Sequence, residues 1–342
     1  MQQLQSEVLA DSDVGHLQVE YCCPEWLIDW VQERDFEPYV EWLKTDVTEV
    51  YIEYSKDIGD EWPRRLQRFR SLKAVHLLSD GISDAGIENL RTLPQLSSVY
   101  LDSHQITDRG LKTLSSMTSL VELSLTHCQI TDNGLVSLRS LTNLQILSLS
   151  DTLVTDGGLE SLKSLPKLFY VNLDSSRFTD AALASLSSLP KLGIVFVRSS
   201  QVTDAGLKSL ITSPSLYDLG LAGTRITDAG LESLKRFSNL RDLNIGDTPI
   251  SDAGMLALGS LPNLRFLALD GTQITDGGLG LLKSLPKLER LHLERTNISD
   301  LGLEHVAHIH SLQWVRLAST RTTPKGIREL KSRRPGLNIF DH

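Results

Sequence analysis

Written in rows of 24 residues from Leu72, the chain places Leu72, Leu96, Leu120, Leu144, Leu168, Leu192, Leu216, Leu240, Leu264, Leu288 and Leu312 in one column without an insertion. A fixed period of this length constrains the fold more than any local propensity does. Each row is too small to bury its own apolar face, so only stacking against its neighbours makes a core. Three and five residues after each column Leu come further aliphatics, such as Val99 and Leu101 or Leu243 and Ile245. Alternation over so few residues predicts a short strand. There follows I-T-D-x-G-L-x-x-L, as in Ile226 to Leu234, where aliphatics spaced three apart after a Thr-Asp pair predict a short helix. Each row is therefore expected to be one strand and one helix.

These rows resemble leucine-rich repeats, and the T-D-x-G-L-x-x-L variant is similar to repeats abundant in planctomycete bacteria. It is more distantly similar to the cysteine-containing repeats of F-box substrate receptors, most of which carry Cys where this chain has Thr. The resemblance covers residues 72 to about 335. It implies an α/β leucine-rich-repeat solenoid, a horseshoe with a parallel β-sheet on its concave face and short helices on its convex face. It further implies a non-enzymatic protein-binding scaffold. The F-box likeness implies an alternative, a substrate-recognition subunit that delivers a client to an enzyme complex such as a ubiquitin ligase. No F-box sequence precedes the repeats to support it.

The expected division is an N-terminal capping unit at 1–71, eleven 24-residue repeats at 72–335, and a closing strand at 336–342 around Leu337 and Ile339. A solenoid exposes an apolar face at each end, so its terminal units must differ from the rest. Four of the five Trp, Trp26, Trp30, Trp42 and Trp62, lie in residues 1–71, with Trp26, Leu27, Trp30 and Val31 spaced for one side of a helix. Val47, Val50 and Ile52 repeat the strand spacing as a degenerate first coil. The same unit is open to a second reading, a docking module with part-exposed Trp anchors.

The formal net charge is −9, from 43 acidic and 34 basic residues. An acidic chain lacks the basic footprint that phosphate binding needs, so nucleic acid is not expected as a partner. No run is long enough for a membrane span, and the start MQQLQSEVLADSDVGH lacks the basic and apolar regions of a secretory signal. Cys22, Cys23 and Cys128 are the only cysteines, which allows no disulfide framework and points to a reducing, cytoplasmic setting.

Several columns look chemical. The carboxylate column from Asp84 to Asp300 is read as helix capping, since each Asp follows Thr or Ser where a helix should start. The Gly column from Gly86 to Gly326 admits Ala182, so it is read as a requirement for smallness at a close helix approach rather than for positive φ. Cys128 sits in a column of Thr and Ser, among them Thr152, Ser176 and Ser200, and is read as structural. Pro94, Pro166, Pro190, Pro214, Pro262 and Pro286 share a column two residues before the strand's first Leu and end the helices of those rows. Thr323 and Pro324 should start a last helix, crowded by Lys325, Arg328, Lys331, Arg333 and Arg334, which is either a solvated helix end or an acid-binding tip. His305, His308 and His310 have no third-ligand pattern around them, so no metal or cofactor is expected, and no nucleophile or metal motif marks an enzyme.

The helix-side positions are monotonous, Lys163, Ser164, Ser187, Ser188, Lys208, Ser209, Lys283 and Ser284 among them. The strand positions facing the other way are diverse. One column reads Ala74, Ser98, Glu122, Ile146, Tyr170, Ile194, Asp218, Asp242, Phe266, Arg290 and Trp314, and the next adds His76, Tyr100, Phe196, His292 and Arg316. Aromatic and Arg side chains are those enriched in interface centres. The expected partner-binding residues are Tyr170, Ile194, Phe196, Arg198, Asp218, Phe266, Arg290, His292, Trp314 and Arg316, and the expected partner is a protein or extended peptide.

Overall fold

The structure, a computed structural model, describes residues 17–18, 48–53, 59–175 and 177–341. The helix expected around Trp26 and Trp30 lies outside them, as do Trp42, Val47 and Ser176. Strands β1 (Leu17–Gln18) and β2 (Glu49–Glu53) precede the regular rows. Then come β3 (Ala74–Leu78), β4 (Ser98–Asp102), β5 (Glu122–Thr126), β6 (Ile146–Ser148), β7 (Tyr170–Asn172), β8 (Ile194–Phe196) and β9 (Asp218–Gly220). The series closes with β10 (Asp242–Asn244), β11 (Phe266–Ala268), β12 (Arg290–His292), β13 (Trp314–Arg316) and β14 (Asn338–Phe340). They form one 14-stranded sheet in chain order. β1 runs antiparallel to β2, and every later pair is parallel.

Alternation along each strand sends one side chain into the core and its neighbours to the open face. Val171, Val195, Leu219, Leu243, Leu267 and Leu291 are fully buried, as are the helix leucines Leu183, Leu207, Leu231 and Leu279. A single apolar cluster runs from Val50 to Leu337, so no row has a core of its own. This is the α/β horseshoe of leucine-rich repeats. β2 pairs in register with β3, Val50 beside Val75, an offset of 25 residues where the regular rows keep 24, as Asp242 beside Phe266 shows. At the far end β14 pairs with β13, Ile339 beside Val315.

The Asp column does something other than cap its own helix. The N-cap acceptor is the Thr or Ser before it: the Thr203 hydroxyl accepts from the Ala205 N–H at 3.3 Å, and Ser83 does the same for Ala85. The Asp carboxylate reaches forward into the next coil. Asp180 Oδ1 accepts from the Thr203 N–H at 2.7 Å and its Oδ2 from the Thr203 hydroxyl at 2.7 Å. The same two-pronged joint links Asp84 to Thr107, Asp132 to Thr155, Asp228 to Ser251 and Asp300 to Thr323. It begins one row earlier than the sequence reading placed it, because Asp60 grips Ser83 in the same way. A carboxylate at the first helical position projects along the solenoid axis, and the nearest unpaired donors there belong to the following coil.

That joint accounts for the Gly column. A Cβ at Gly206 would fall inside contact distance of Asp180 Oδ1, and one at Gly110 would meet Asp84 Oδ1 at 2.5 Å. None of these glycines has positive φ, so the requirement is steric. Cys128 is buried and its thiol is pushed up to about 12 by that burial, which suits a structural group. Its column partners Thr152, Thr224 and Thr272 return their hydroxyls to the carbonyls of Leu149, Leu221 and Leu269, three residues back in their own turn rather than between coils.

A further column was not read from the sequence. His127, Asp151, Ser199, Gly223, Asp247, Gly271, Arg295 and Ser319 all have positive φ, between 52° and 68°, in the turn that leaves the strand. At the C-terminal end Thr323 caps the helix Pro324–Arg333. Arg334 is not part of an exposed basic tip: its guanidinium donates to the carbonyls of Ala307, Ile309, His310 and Leu312 at 2.7–3.3 Å and closes the last turn of the coil before it.

Candidate functional site

The open face of β6 to β13 is built by the alternate strand residues, and the parallel register brings columns together across strands about 4.8 Å apart. Tyr170 lies beside Ile194 and Ile194 beside Asp218, while Asn172 lies beside Phe196 and Phe196 beside Gly220. The Tyr170 and Phe196 rings meet edge to face with centroids 5.6 Å apart. A Cβ at Gly220 would sit 2.5 Å from Phe196 Cδ1, so the missing side chain is what lets the Phe196 ring lie over β9. Arg198 stands over the same ring, 5.5 Å from its centroid. Its charge is already engaged, because Asp174 takes the Arg198 backbone N–H at 2.7 Å and its guanidinium at 2.6–2.7 Å.

Asp218 and Asp242 follow on neighbouring strands. Burial pushes the Asp218 carboxyl up to about 7, and the charge of Asp242 adds to the effect, against the opposing pull of Arg290 and Arg198. Asp242 is raised as well, chiefly by burial. Arg290 reaches back two coils to Asp242 at 3.0 Å and crosses the Phe266 ring at 4.9 Å on the way. Phe266 also meets His292 edge to face at 4.9 Å. Burial, then the charge of Arg316, holds the His292 imidazole down to about 4, so it is neutral at pH 7. Trp314 stacks on Phe340 at 5.7 Å, and both remain half exposed, at 44% and 47%.

The ten residues singled out from the sequence thus fall into two neighbouring groups. Tyr170, Ile194, Phe196, Arg198 and Asp218 make one, and Phe266, Arg290 and His292 make the other. Asp242 bridges them through Arg290, while Trp314 and Arg316 lie beyond, toward the end of the sheet. A third group was only half visible in the sequence. Tyr51, His76 and Tyr100 stack face to face at 3.9 and 4.1 Å, with Glu49 bonded to His76 and to Tyr51 and with Tyr100 bonded to Glu122. Tyr51 falls outside the 24-residue columns because its row is one residue out of period.

The convex face is less uniform than its sequence implies. Leu256 and Leu301 are exposed at 66% and 68%, among the Lys and Ser of that side. Among the described residues no grouping of three or more His, Cys, Asp or Glu could hold a metal ion, and no helix is long and apolar enough to cross a membrane.

A family model described as Leucine Rich repeat matches residues 116–138, 140–163, 238–259 and 284–307. Among solved structures the chain is similar to an internalin, inlF, from Listeria monocytogenes str. 4b F2365, at 25% identity and a TM-score of 0.59, over 86% of each chain. It also matches an internalin C2, inlC2, of the same strain at 27% identity, over 62% of this chain and 84% of that one, with a TM-score of 0.48. No curated protein matches it in sequence.

Proposed function

We propose that this leucine-rich-repeat solenoid is a non-enzymatic scaffold that seats another protein, or an extended peptide, on its concave sheet. The observation that carries the reading is the contrast between columns. Positions that build the coils repeat almost without change, whereas the concave positions carry Tyr170, Ile194, Phe196, Asp218, Phe266 and Arg290 in a contiguous, part-exposed surface. Aromatic rings edged by charged groups are what desolvated interface centres use. The acidic balance speaks against nucleic acid, and the three cysteines speak for a reducing compartment such as the cytoplasm. Residues 1–71 serve in this reading as the cap of the first coil.

A photo-crosslinking residue placed at Ile194 should give adducts with a partner from the native organism, and the same residue at Lys208 on the convex side should give none. Adducts from position 208 alone would reject the concave surface.

A further inference from the structure

Near the middle of the concave face stands a carboxyl whose surroundings do not use it. Asp218 accepts no hydrogen bond among the described residues, and the two guanidinium groups nearest in charge are engaged elsewhere, Arg198 with Asp174 and Arg290 with Asp242. The other titratable groups that feel it are Asp242 on β10, Tyr170 on β7 and its neighbour Tyr217. On its β8 side lie the apolar Tyr170, Ile194 and Phe196.

We propose that this face takes an extended polypeptide segment crossing the strands, with a Lys or Arg side chain on Asp218 and an apolar side chain two residues away on Tyr170, Ile194 and Phe196. The inference rests on the concave-scaffold reading and adds the partner's chemistry to it. Spacing supports the pattern. A segment rising roughly 3.3 Å per residue presents side chains to one face about every 6.6 Å, and one and a half strand spacings, from midway between Tyr170 and Ile194 to Asp218, is about 7.2 Å. Charge supports it too. An incoming acid would add a third negative group beside Asp218 and Asp242, whereas a cation supplies the partner Asp218 lacks. With the free carboxyl at about 7, binding of the cation releases a proton, so affinity rises with pH.

The test is selection of His-free random heptapeptides on the full chain at pH 8, followed by titration of the best peptide against the parent, D218N, F196A and K208A, with melting curves to confirm folding. Expected are peptides enriched in a basic residue two positions from an apolar one. Binding by D218N and by F196A should each be at least tenfold weaker, K208A should match the parent, and the parent should lose roughly tenfold between pH 8 and pH 6, as one linked proton requires. Failure to enrich such peptides, or D218N binding as the parent does, overturns the inference. If D218N is silent while F196A still weakens binding, the concave surface stands and only the cation assignment falls. If K208A alone weakens binding, the scaffold reading falls with it.

Discussion

Asp180 adds little to its own helix that Thr179 does not already supply, since the Thr179 hydroxyl accepts from the Ala181 N–H and the carboxylate goes to Thr203 of the next coil. The joint can be measured. Asp180→Ala and Thr203→Ala should show a coupling of about 0.5–3 kcal/mol in a double-mutant cycle, the range for groups that share hydrogen bonds. Asp180→Ala with Thr179→Ala should be closer to additive, and the reverse pattern would return the Asp to an ordinary cap. The positive-φ column offers a second test at this scale. Gly223 has φ +68° and room for a Cβ at ordinary contact distance, the nearest atoms lying 3.4 Å away. Gly223→Ala should therefore lose about 1–2 kcal/mol to backbone conformation alone, and an unchanged unfolding midpoint would contradict the assignment. That column was legible in principle, because Gly, Asp and Ser alternate there and Gly and Asp are the types that tolerate the left-handed region. Arg295 at the same position hid it.

At the scale of a strand, β9 carries a residue that weakens the fold for which it is a part. The Asp218 carboxyl titrates higher in the folded chain than it would unfolded, so its favourable contribution is full below the unfolded pKa and is lost as pH rises toward about 7. Asp218→Asn should melt like the parent near pH 4 and above it at pH 8, the gap opening between those values. A gap that opens on acidification would mean that the carboxylate is stabilised by a partner in the fold. The helices and strands themselves were legible from the 24-residue period, because each core-building column keeps one class of residue. Arg334 was not, since a guanidinium that closes four carbonyls of the previous coil looks in sequence like any basic helix end. Nor was the linking of Arg290 to Asp242, which joins residues two full rows apart.

For the whole molecule, stacking decides stability, because each coil buries its apolar face only against its neighbours. β2 covers β3, with Val50 and Ile52 buried at 3% and 1%, and Asp60 starts the chain of joints at Ser83. Removing residues 1–50 should therefore give an aggregating protein, and a soluble, cooperatively melting truncation would assign the N-terminal unit to docking instead. The concave surface was visible in the sequence as diversity within a regular frame, but its grouping was not, because Gly220 and Asp174 become informative only when Phe196 and Arg198 are seen against them. The claim that this surface binds is tested most directly by calorimetric titration of a crosslinked and identified partner against the parent, Phe196→Ala and Lys208→Ala. Phe196→Ala should lose about thirtyfold in affinity, the 2 kcal/mol or so of an interface anchor, with a modest loss of melting temperature from the contacts to Tyr170 and over Gly220, and Lys208→Ala should bind as the parent does. Parent-like binding by Phe196→Ala together with weakened binding by Lys208→Ala would place the partner on the other face.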